Sequence, residues 1–162
     1  SPAIRAAVRE TILALLGEDG DPAKIRADAA AMRADIERHK PPAGAMDVKL
    51  GPGGLVDLEF AVHTLQLTHH VGLDPRLEVA LEGLVAAGLI DAGADADLRL
   101  LSRVLVVLRL VAPQGMDPAE QSRALAATLC GHDDWAALVT AIDAARTRIA
   151  ARWAAARKDE TT

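Results

Sequence analysis

The chain has 162 residues, of which 51% are hydrophobic and 25% charged, a composition that excludes a disordered chain and allows one globular domain with a core. Its formal net charge is −5, and acidic and basic residues are interspersed, which excludes the basic stripe typical of nucleic-acid-binding proteins. The single cysteine, Cys130, rules out an intramolecular disulfide, and we expect a reducing, cytoplasmic setting in which this thiol is buried and unreactive.

The first predicted helix closes at Gly17 and Gly20, because glycine readily adopts the left-handed conformation in which many helices end. Its aliphatic residues recur every three or four positions, as on one face of an amphipathic helix. We expect that face to be buried: Ile4, Val8, Ile12 and Leu15.

The second predicted helix begins at Asp21 and Pro22, a capping residue followed by the residue best suited to the first turn. It ends before the proline pair at 41–42, which cannot continue a helix. Arg33 and Glu37 stand one turn apart and are expected to pair on the solvent side. The opposite face is expected to be buried: Ile25, Ala29, Met32 and Ile36.

Five more helices are predicted after a Pro- and Gly-rich loop at about 40–54. The third occupies about 55–71, and the fourth and sixth begin at the Asp-Pro pairs at 74–75 and 117–118. The fifth, at about 95–112, is apolar almost all round, so we expect it to be the central buried helix. The last begins near 133 and is predicted to bury a stripe at helical spacing: Trp135, Leu138, Ile142, Ala145, Ile149 and Trp153.

No stretch favours a strand, and the most apolar segment, 98–112, carries three arginines and is too short to span a bilayer. The sequence therefore predicts an all-α fold without a sheet. We expect one domain over residues 1–162, built as a single bundle of about seven helices.

The segment 47–60, DVKLGPGGLVDLEF, is where we expect a ligand or a neighbouring domain to be contacted. Gly51, Gly53 and Gly54 lead into a predicted helix start, where free N–H groups and the helix dipole favour an anion, and Lys49 adds a positive charge. The alternative is that the glycines only allow a tight turn and close packing, with Lys49 in solvent. The segment lacks the Ser or Thr of a P-loop and the third glycine of a dinucleotide fingerprint.

Asp57 and Glu59 are two residues apart and point to different sides of a helix, so they cannot form an acid–base pair or a joint metal site. Asp57 fits either simple stabilisation of the helix dipole or a salt bridge or hydrogen bond that fixes the Lys49 loop against a catalytic domain. A polar stripe also runs along this helix, but His63 and His70 are ~10 Å apart, and we interpret the stripe as a solvated face without a metal: Glu59, His63, Gln66 and His70.

Arg99 and Arg103 are weaker candidates for contact with a nucleotide phosphate or a partner protein. They lie one turn apart on the fifth predicted helix. Pairing with nearby acids, Asp95 or Asp97, is the default interpretation.

The string from Lys49 to Phe60, KLGPGGLVDLEF, resembles the signature Lys-x-Gly-x-Gly-Gly-x-x-Asp-Ile-Glu-Phe of glutamine synthetase adenylyltransferases. The resemblance extends over nearly the whole chain, through the segments 32–37, 65–67 and 84–89 and the helix that starts at Trp135. The pair at 56–57 resembles the C-terminal, adenylylating half of that family. Leu58 stands where the family usually has Ile, and His63 where it often has Gln.

This resemblance implies a helical domain beside a nucleotidyltransferase domain that transfers AMP from ATP, with magnesium, to a tyrosine of glutamine synthetase. The family's metal-binding carboxylates follow a Gly-Ser loop, which this chain lacks. We therefore expect a fragment of a longer protein that is inactive alone and holds no cofactor of its own. Six residues are expected at the nucleotide or at the domain boundary: Lys49, Gly51, Gly53, Gly54, Asp57 and Glu59.

Two alternatives stay open at this point. The domain could mainly dock glutamine synthetase or a PII signalling protein through an exposed helix face. It could also be a helical adaptor unrelated to this enzyme, if the resemblance of the 49–60 string is coincidental.

Overall fold

The computed structural model describes residues 2–16, 20–112 and 116–158. Within these ranges the chain forms helices and no strand, which confirms the predicted all-α bundle. The helices are α1 (Pro2–Leu16), α2 (Pro22–His39), α3 (Leu55–His69), α4 (Leu77–Ala86), α5 (Gly93–Val111), α6 (Glu120–Leu129) and α7 (Trp135–Ala156).

The central helix is α3, not the predicted α5. α3 packs against α2, α4, α5 and α7. Its buried residues lie on all sides of the helix: Leu55, Val56, Asp57, Leu58, Ala61, Val62, Thr64, Leu65 and Gln66. α5 is instead amphipathic, with Val106 and Leu110 more than half exposed on its outer side. The expectation for α5 was wrong because composition alone does not show which aliphatic residues face solvent.

α7 closes the core against α3, α5 and α6, as its apolar stripe predicted. Leu138, Ile142, Ala145, Ile149 and Trp153 are buried, while Trp135 is half-buried. The Trp153 ring meets the Phe60 ring of α3 edge to face, with centroids 5.7 Å apart. The predicted stripe is therefore the surface through which α7 packs against the core.

An ionic network with a buried centre, the Asp97–Arg152 pair, joins the start of α5 to α7. The Asp97 carboxylate accepts hydrogen bonds from Arg152 Nη1 at 2.6 Å and from Arg148 Nη2 at 2.5 Å. Arg152 also donates to Asp91 at 2.6 Å, and this hydrogen bond holds the pKa of Asp91 below its ordinary value. Asp97 is thus engaged by α7, and Arg99 pairs with Asp95 at 2.8 Å, as the default interpretation expected.

The three Asp-Pro pairs behave differently. Asp21 caps α2 as predicted, because its side chain accepts the Ala23 N–H at 2.9 Å and a proline follows it. α4 and α6 each begin two residues after the proline of their pair, at Leu77 and Glu120. Asp74 accepts the Arg76 N–H at 2.9 Å, so its carboxylate closes a turn ahead of the helix rather than capping the helix itself.

Two residues of α2 have the opposite exposure to the one predicted. Met32, predicted to be buried, is 59% exposed, and Arg33, predicted to face solvent, is 6% exposed. Ile25, Ala29 and Ile36 are half-buried. Arg33 still lies 3.8 Å from Glu37, but its closer partner lies across the bundle on α3.

α1 exposes the stripe that it was expected to bury. Ile4, Val8 and Leu15 are each more than half exposed, and α1 has no extensive packing against the other described helices. Gly17 and the side chain of Ile12 lie outside the described residues. A helical pattern shows that an apolar face exists, but it cannot show that a partner for that face is in contact.

Cys130 is buried as predicted, and burial raises the pKa of its thiol despite the opposing charge of Arg103. For the ranges that the structure describes, each helix is either too short or too polar to cross a bilayer.

Candidate functional site

The loop before α3 is organised by the Asp47 carboxylate. Oδ1 accepts the N–H groups of Lys49 at 3.1 Å and of Leu50 at 2.9 Å, and Oδ2 accepts the N–H of Ala43 at 3.1 Å. Burial raises the pKa of Asp47, but these hydrogen bonds and the charge of Arg146 outweigh burial and leave it below the ordinary value. Residues 43–50 therefore form a folded turn around one ionised side chain.

The backbone of this loop then caps the start of α3. The N–H of Leu55 donates to the Val48 carbonyl at 2.9 Å, and that of Val56 donates to the Lys49 carbonyl at 3.1 Å. From 51 to 58, every residue except Pro52 donates its N–H within the chain: Gly51, Gly53, Gly54, Leu55, Val56, Asp57 and Leu58. The N–H groups expected to be free for an anion are already bonded, so that part of the expectation was wrong.

Asp57 joins the loop, α2 and α3 at one buried point. Its Oδ1 accepts from Arg33 Nε at 2.5 Å, and its Oδ2 accepts the Gly53 N–H at 2.6 Å. Arg33 also reaches the Leu50 carbonyl at 3.3 Å, and the Arg33 and Asp57 side chains are each 7% exposed. Of the two interpretations of Asp57, the geometry supports fixation of the loop, with a partner inside this chain.

Arg146 of α7 holds the loop from the other side. Its guanidinium donates to the Ala45 carbonyl at 2.8 Å, the Pro52 carbonyl at 3.1 Å and the Asp47 carbonyl at 3.5 Å. Neither arginine was expected at this loop, since Arg33 was predicted to pair with Glu37 in solvent and Arg146 was not a candidate. No local pattern could identify Arg146, because its acceptors lie 94 to 101 residues away along the chain.

The glycines make this close approach possible. Gly53 has φ of 68°, and a Cβ there would overlap the Arg146 backbone carbonyl, while a Cβ at Gly51 would overlap the Arg146 guanidinium. A Cβ at Gly54 would collide with the carbonyls of the turn itself. The glycines serve a tight turn and close packing, which is the alternative that the sequence left open.

Lys49 is exposed at the edge of a surface groove of about 210 Å³, which we call the Lys49 groove. Its floor is apolar, with Leu105 and Leu108 of α5, and Arg109 supplies a second cation on its wall. Arg99 and Arg103 are exposed elsewhere on α5 and do not line it. The structure thus brings Lys49 together with Arg109, a residue that the sequence analysis did not single out.

Glu59 and the polar stripe of α3 face away from the Lys49 groove. Glu59 and His63 line a different groove, between α2 and α3. His63 Nδ1 lies 2.7 Å from Gln66 Oε1, and Gln66 Nε2 donates to the backbone carbonyls of Gly72 and Asp74. Gln66 therefore ties the end of α3 to the following turn, while His70 is exposed at the left-handed cap of the helix.

The loop before α3 does not form a backbone site for the phosphates of ATP, which the resemblance implies together with magnesium. The loop offers no unbonded N–H group for a phosphate between 51 and 58. Among the residues described, no cluster of three or more His, Cys, Asp or Glu side chains could hold a metal ion. The spaced carboxylates Asp95 and Asp97 are already paired with arginines.

Gly53→Ala should lower the free energy of unfolding far more than Gly88→Ala, although both glycines have positive φ. At Gly88 a Cβ meets no atom within 4 Å, so only backbone strain of about 1 kcal/mol applies. At Gly53 the same strain is joined by overlap with the Arg146 backbone, and we expect a loss of roughly 3 kcal/mol or more. Urea unfolding of both variants measures this difference, and equal losses would contradict the packing described here.

Asp47→Asn should destabilise the chain at neutral pH and have little effect in acid. Folding lowers the pKa of Asp47, so its contribution is complete above the ordinary value of 3.8 and is lost as pH falls through the lower folded value. The difference in unfolding free energy between the wild type and Asp47→Asn should therefore shrink below about pH 4. A difference that stayed constant from pH 7 to pH 2.5 would show that the carboxylate charge does not hold the loop.

Residues 26–154 match the family model described as GlnD PII-uridylyltransferase. The chain is 37% identical over 136 residues to the bifunctional glutamine synthetase adenylyltransferase/adenylyl-removing enzyme of Caulobacter vibrioides, covering 80% of the chain and 14% of that protein. For the enzyme of the same description from Rhizobium meliloti, the identity is 36% over 131 residues, with coverages of 75% and 13%.

The Mesorhizobium japonicum enzyme, which bears the same description, is 44% identical over 95 residues, with coverages of 57% and 10%. The chain thus spans between 10% and 14% of the length of these three relatives. These matches confirm the resemblance carried by the string from Lys49 to Phe60. Because the family model covers most of the chain, the chain belongs to the GlnD PII-uridylyltransferase family and is a glutamine synthetase adenylyltransferase-like protein.

Proposed function

We propose that this chain is the helical domain of a cytoplasmic enzyme that transfers AMP from ATP to a tyrosine of glutamine synthetase, in the adenylylating half of that enzyme. Its role is to present the loop before α3, with the Lys49 groove, to an adjoining nucleotidyltransferase domain. The resemblance of residues 49–60 and the names of the curated relatives support this assignment.

The observation that carries the proposal is a loop that is rigidly held yet presents one exposed cation. Arg33 and Arg146 bind the loop carbonyls from two helices, and Asp47 and Asp57 bind its N–H groups. Lys49 alone among these charged residues stays exposed, beside Arg109 on the groove wall. A surface that is already ordered loses little conformational entropy when a neighbouring domain docks on it.

The saturated N–H groups favour a domain boundary over direct phosphate binding. Lys49 and Arg109 can pair with carboxylates of a neighbouring domain, and the apolar floor at Leu105 and Leu108 can receive its aliphatic side chains. Such contacts position the catalytic domain relative to its substrate without taking part in the chemical step. Accordingly, we expect the chain alone to transfer no AMP, and ATP and magnesium to be bound by the adjoining domain.

The second candidate function is docking of glutamine synthetase or a PII signalling protein. The outer side of α5 favours it, because Val106 and Leu110 are exposed there together with Arg99 and Arg103. Arginine is enriched at protein interfaces, and neighbouring exposed apolar residues can mark an interaction surface. This surface is separate from the Lys49 groove, so substitutions can distinguish the two functions.

Lys49→Ala combined with Arg109→Ala, in the full-length enzyme, should reduce AMP transfer to glutamine synthetase by on the order of tenfold or more, because misplacement of a catalytic domain by ~1 Å can cost a hundredfold. The matched control is Lys158→Ala, which removes an exposed cation just beyond the C-terminal end of α7. Initial rates with saturating ATP measure the effect.

An unchanged rate in the folded double variant would remove the proposed role of the Lys49 groove. Loss of transfer in Val106→Ser/Leu110→Ser, with a normal rate in the Lys49 and Arg109 variant, would favour docking through α5.

A further inference from the structure

A second groove, between α2 and α3, is open and mostly apolar, with Asp28, Glu59 and His63 also among its lining residues. It has a volume of about 360 Å³ and is walled by Ile25 and Met32 of α2 and by Phe60 and Leu67 of α3. Met32 is 59% exposed at its edge. Water covers side chains here that would be more stable in contact with apolar groups.

One buried polar group in this groove has no partner. Thr64 lines the groove between Phe60 and Leu67 and is only 2% exposed, and its hydroxyl makes no hydrogen bond. An unpartnered buried hydroxyl is costly, so the groove is incomplete as it stands. An occupant that fits this groove must carry two apolar side chains for its walls. Between them it must carry a hydroxyl or a similar group that can hydrogen-bond to Thr64.

α1 carries that pattern. Val8 and Leu15 are seven residues apart, as are Ile25 and Met32 of α2 and Phe60 and Leu67 of α3. Seven residues of helix rise ~10.5 Å, so the three pairs have the same spacing. Thr11 lies three residues after Val8, and Thr64 lies four after Phe60, so both hydroxyls fall between the apolar positions.

We propose that α1 of the same chain is the occupant of the α2–α3 groove. It lies antiparallel to α2 and parallel to α3, with Val8 against Phe60, Thr11 against Thr64 and Leu15 against Leu67. The Thr11 hydroxyl already donates to the Ala7 carbonyl at 3.0 Å, so its oxygen can accept the proton of the Thr64 hydroxyl. This closure covers two apolar surfaces and pairs the one unpartnered hydroxyl between them.

The connection between α1 and α2 favours this occupant over a separate molecule. Residues 17–21 join the two helices, a length common in antiparallel helix pairs. A short tether gives α1 an effective concentration in the millimolar range at its own groove. α1 therefore acts as a strap over the groove, open in this structure and closed when its stripe is buried.

The test is a disulfide between the strap and the groove. Val8→Cys/Met32→Cys, in a Cys130→Ala background, should form an intramolecular disulfide under mild oxidation at least tenfold faster than the control Val8→Cys/Ala34→Cys. Ala34 is exposed on the opposite side of α2. Equal rates for the two pairs, or disulfides between separate chains, would overturn the proposal.

A second measurement follows the two hydroxyls. Thr64→Val should lower the thermal midpoint by about 2–4 °C, because it removes the hydrogen bond that the Thr64 hydroxyl donates to the Thr11 oxygen in the closed groove. Thr11→Val/Thr64→Val should recover most of that loss, since an apolar pair replaces a hydroxyl pair. A rise in the midpoint for Thr64→Val alone would show that the groove stays open and its hydroxyl unpaired.

Discussion

A single buried carboxylate, that of Asp57, holds together the parts of the molecule on which its surface depends. One oxygen binds Arg33 of α2 and the other binds the Gly53 N–H of the loop. Both side chains are removed from water, so each would be strongly destabilising without the other, by about 3–5 kcal/mol. The position of α2 beside α3, and the course of the loop between them, follow from this pair.

Both grooves are built on that constraint. Arg33 lies next to Met32, which forms an edge of the α2–α3 groove, and its guanidinium reaches the Leu50 carbonyl beside Lys49. Arg146 completes the arrangement from α7 by binding three carbonyls of the loop. A loop held from two helices keeps one shape, which suits a surface that positions a neighbouring domain and does not suit a loop that must wrap a ligand.

The periodicity of the sequence predicted those features of the fold that depend on interactions between residues close together in the chain. The helices, the cap at Asp21 and the buried stripe of α7 follow from spacing and from residue preferences near each helix start. The burial of Arg33 could not be predicted in this way, because its partner Asp57 is 24 residues away. Helical spacing alone predicts that Arg33 pairs with Glu37. The exposure of the outer side of α5 and of the apolar stripe of α1 also escaped prediction, since an apolar face does not specify what covers it.

In the candidate site, too, the sequence predicted the local features, and contacts with distant parts of the chain decided the rest. Sequence indicated the loop and its glycines, and it left open whether they bind an anion or permit close packing. The decision depended on where each N–H group points, which is set by contacts with Asp47, Asp57 and the loop's own carbonyls. Family resemblance identified the string from Lys49 to Phe60, but the grouping of Lys49 with Arg109 required the fold.

The most direct test of the central claim is a double-mutant cycle on Arg33→Met and Asp57→Asn, read by urea unfolding at pH 7. If this buried pair holds α2, the loop and α3 together, the double variant should be more stable than the sum of the single losses implies, by about 2 kcal/mol or more. Losses that add to within about 0.5 kcal/mol would contradict it, because they would show that the two residues act independently.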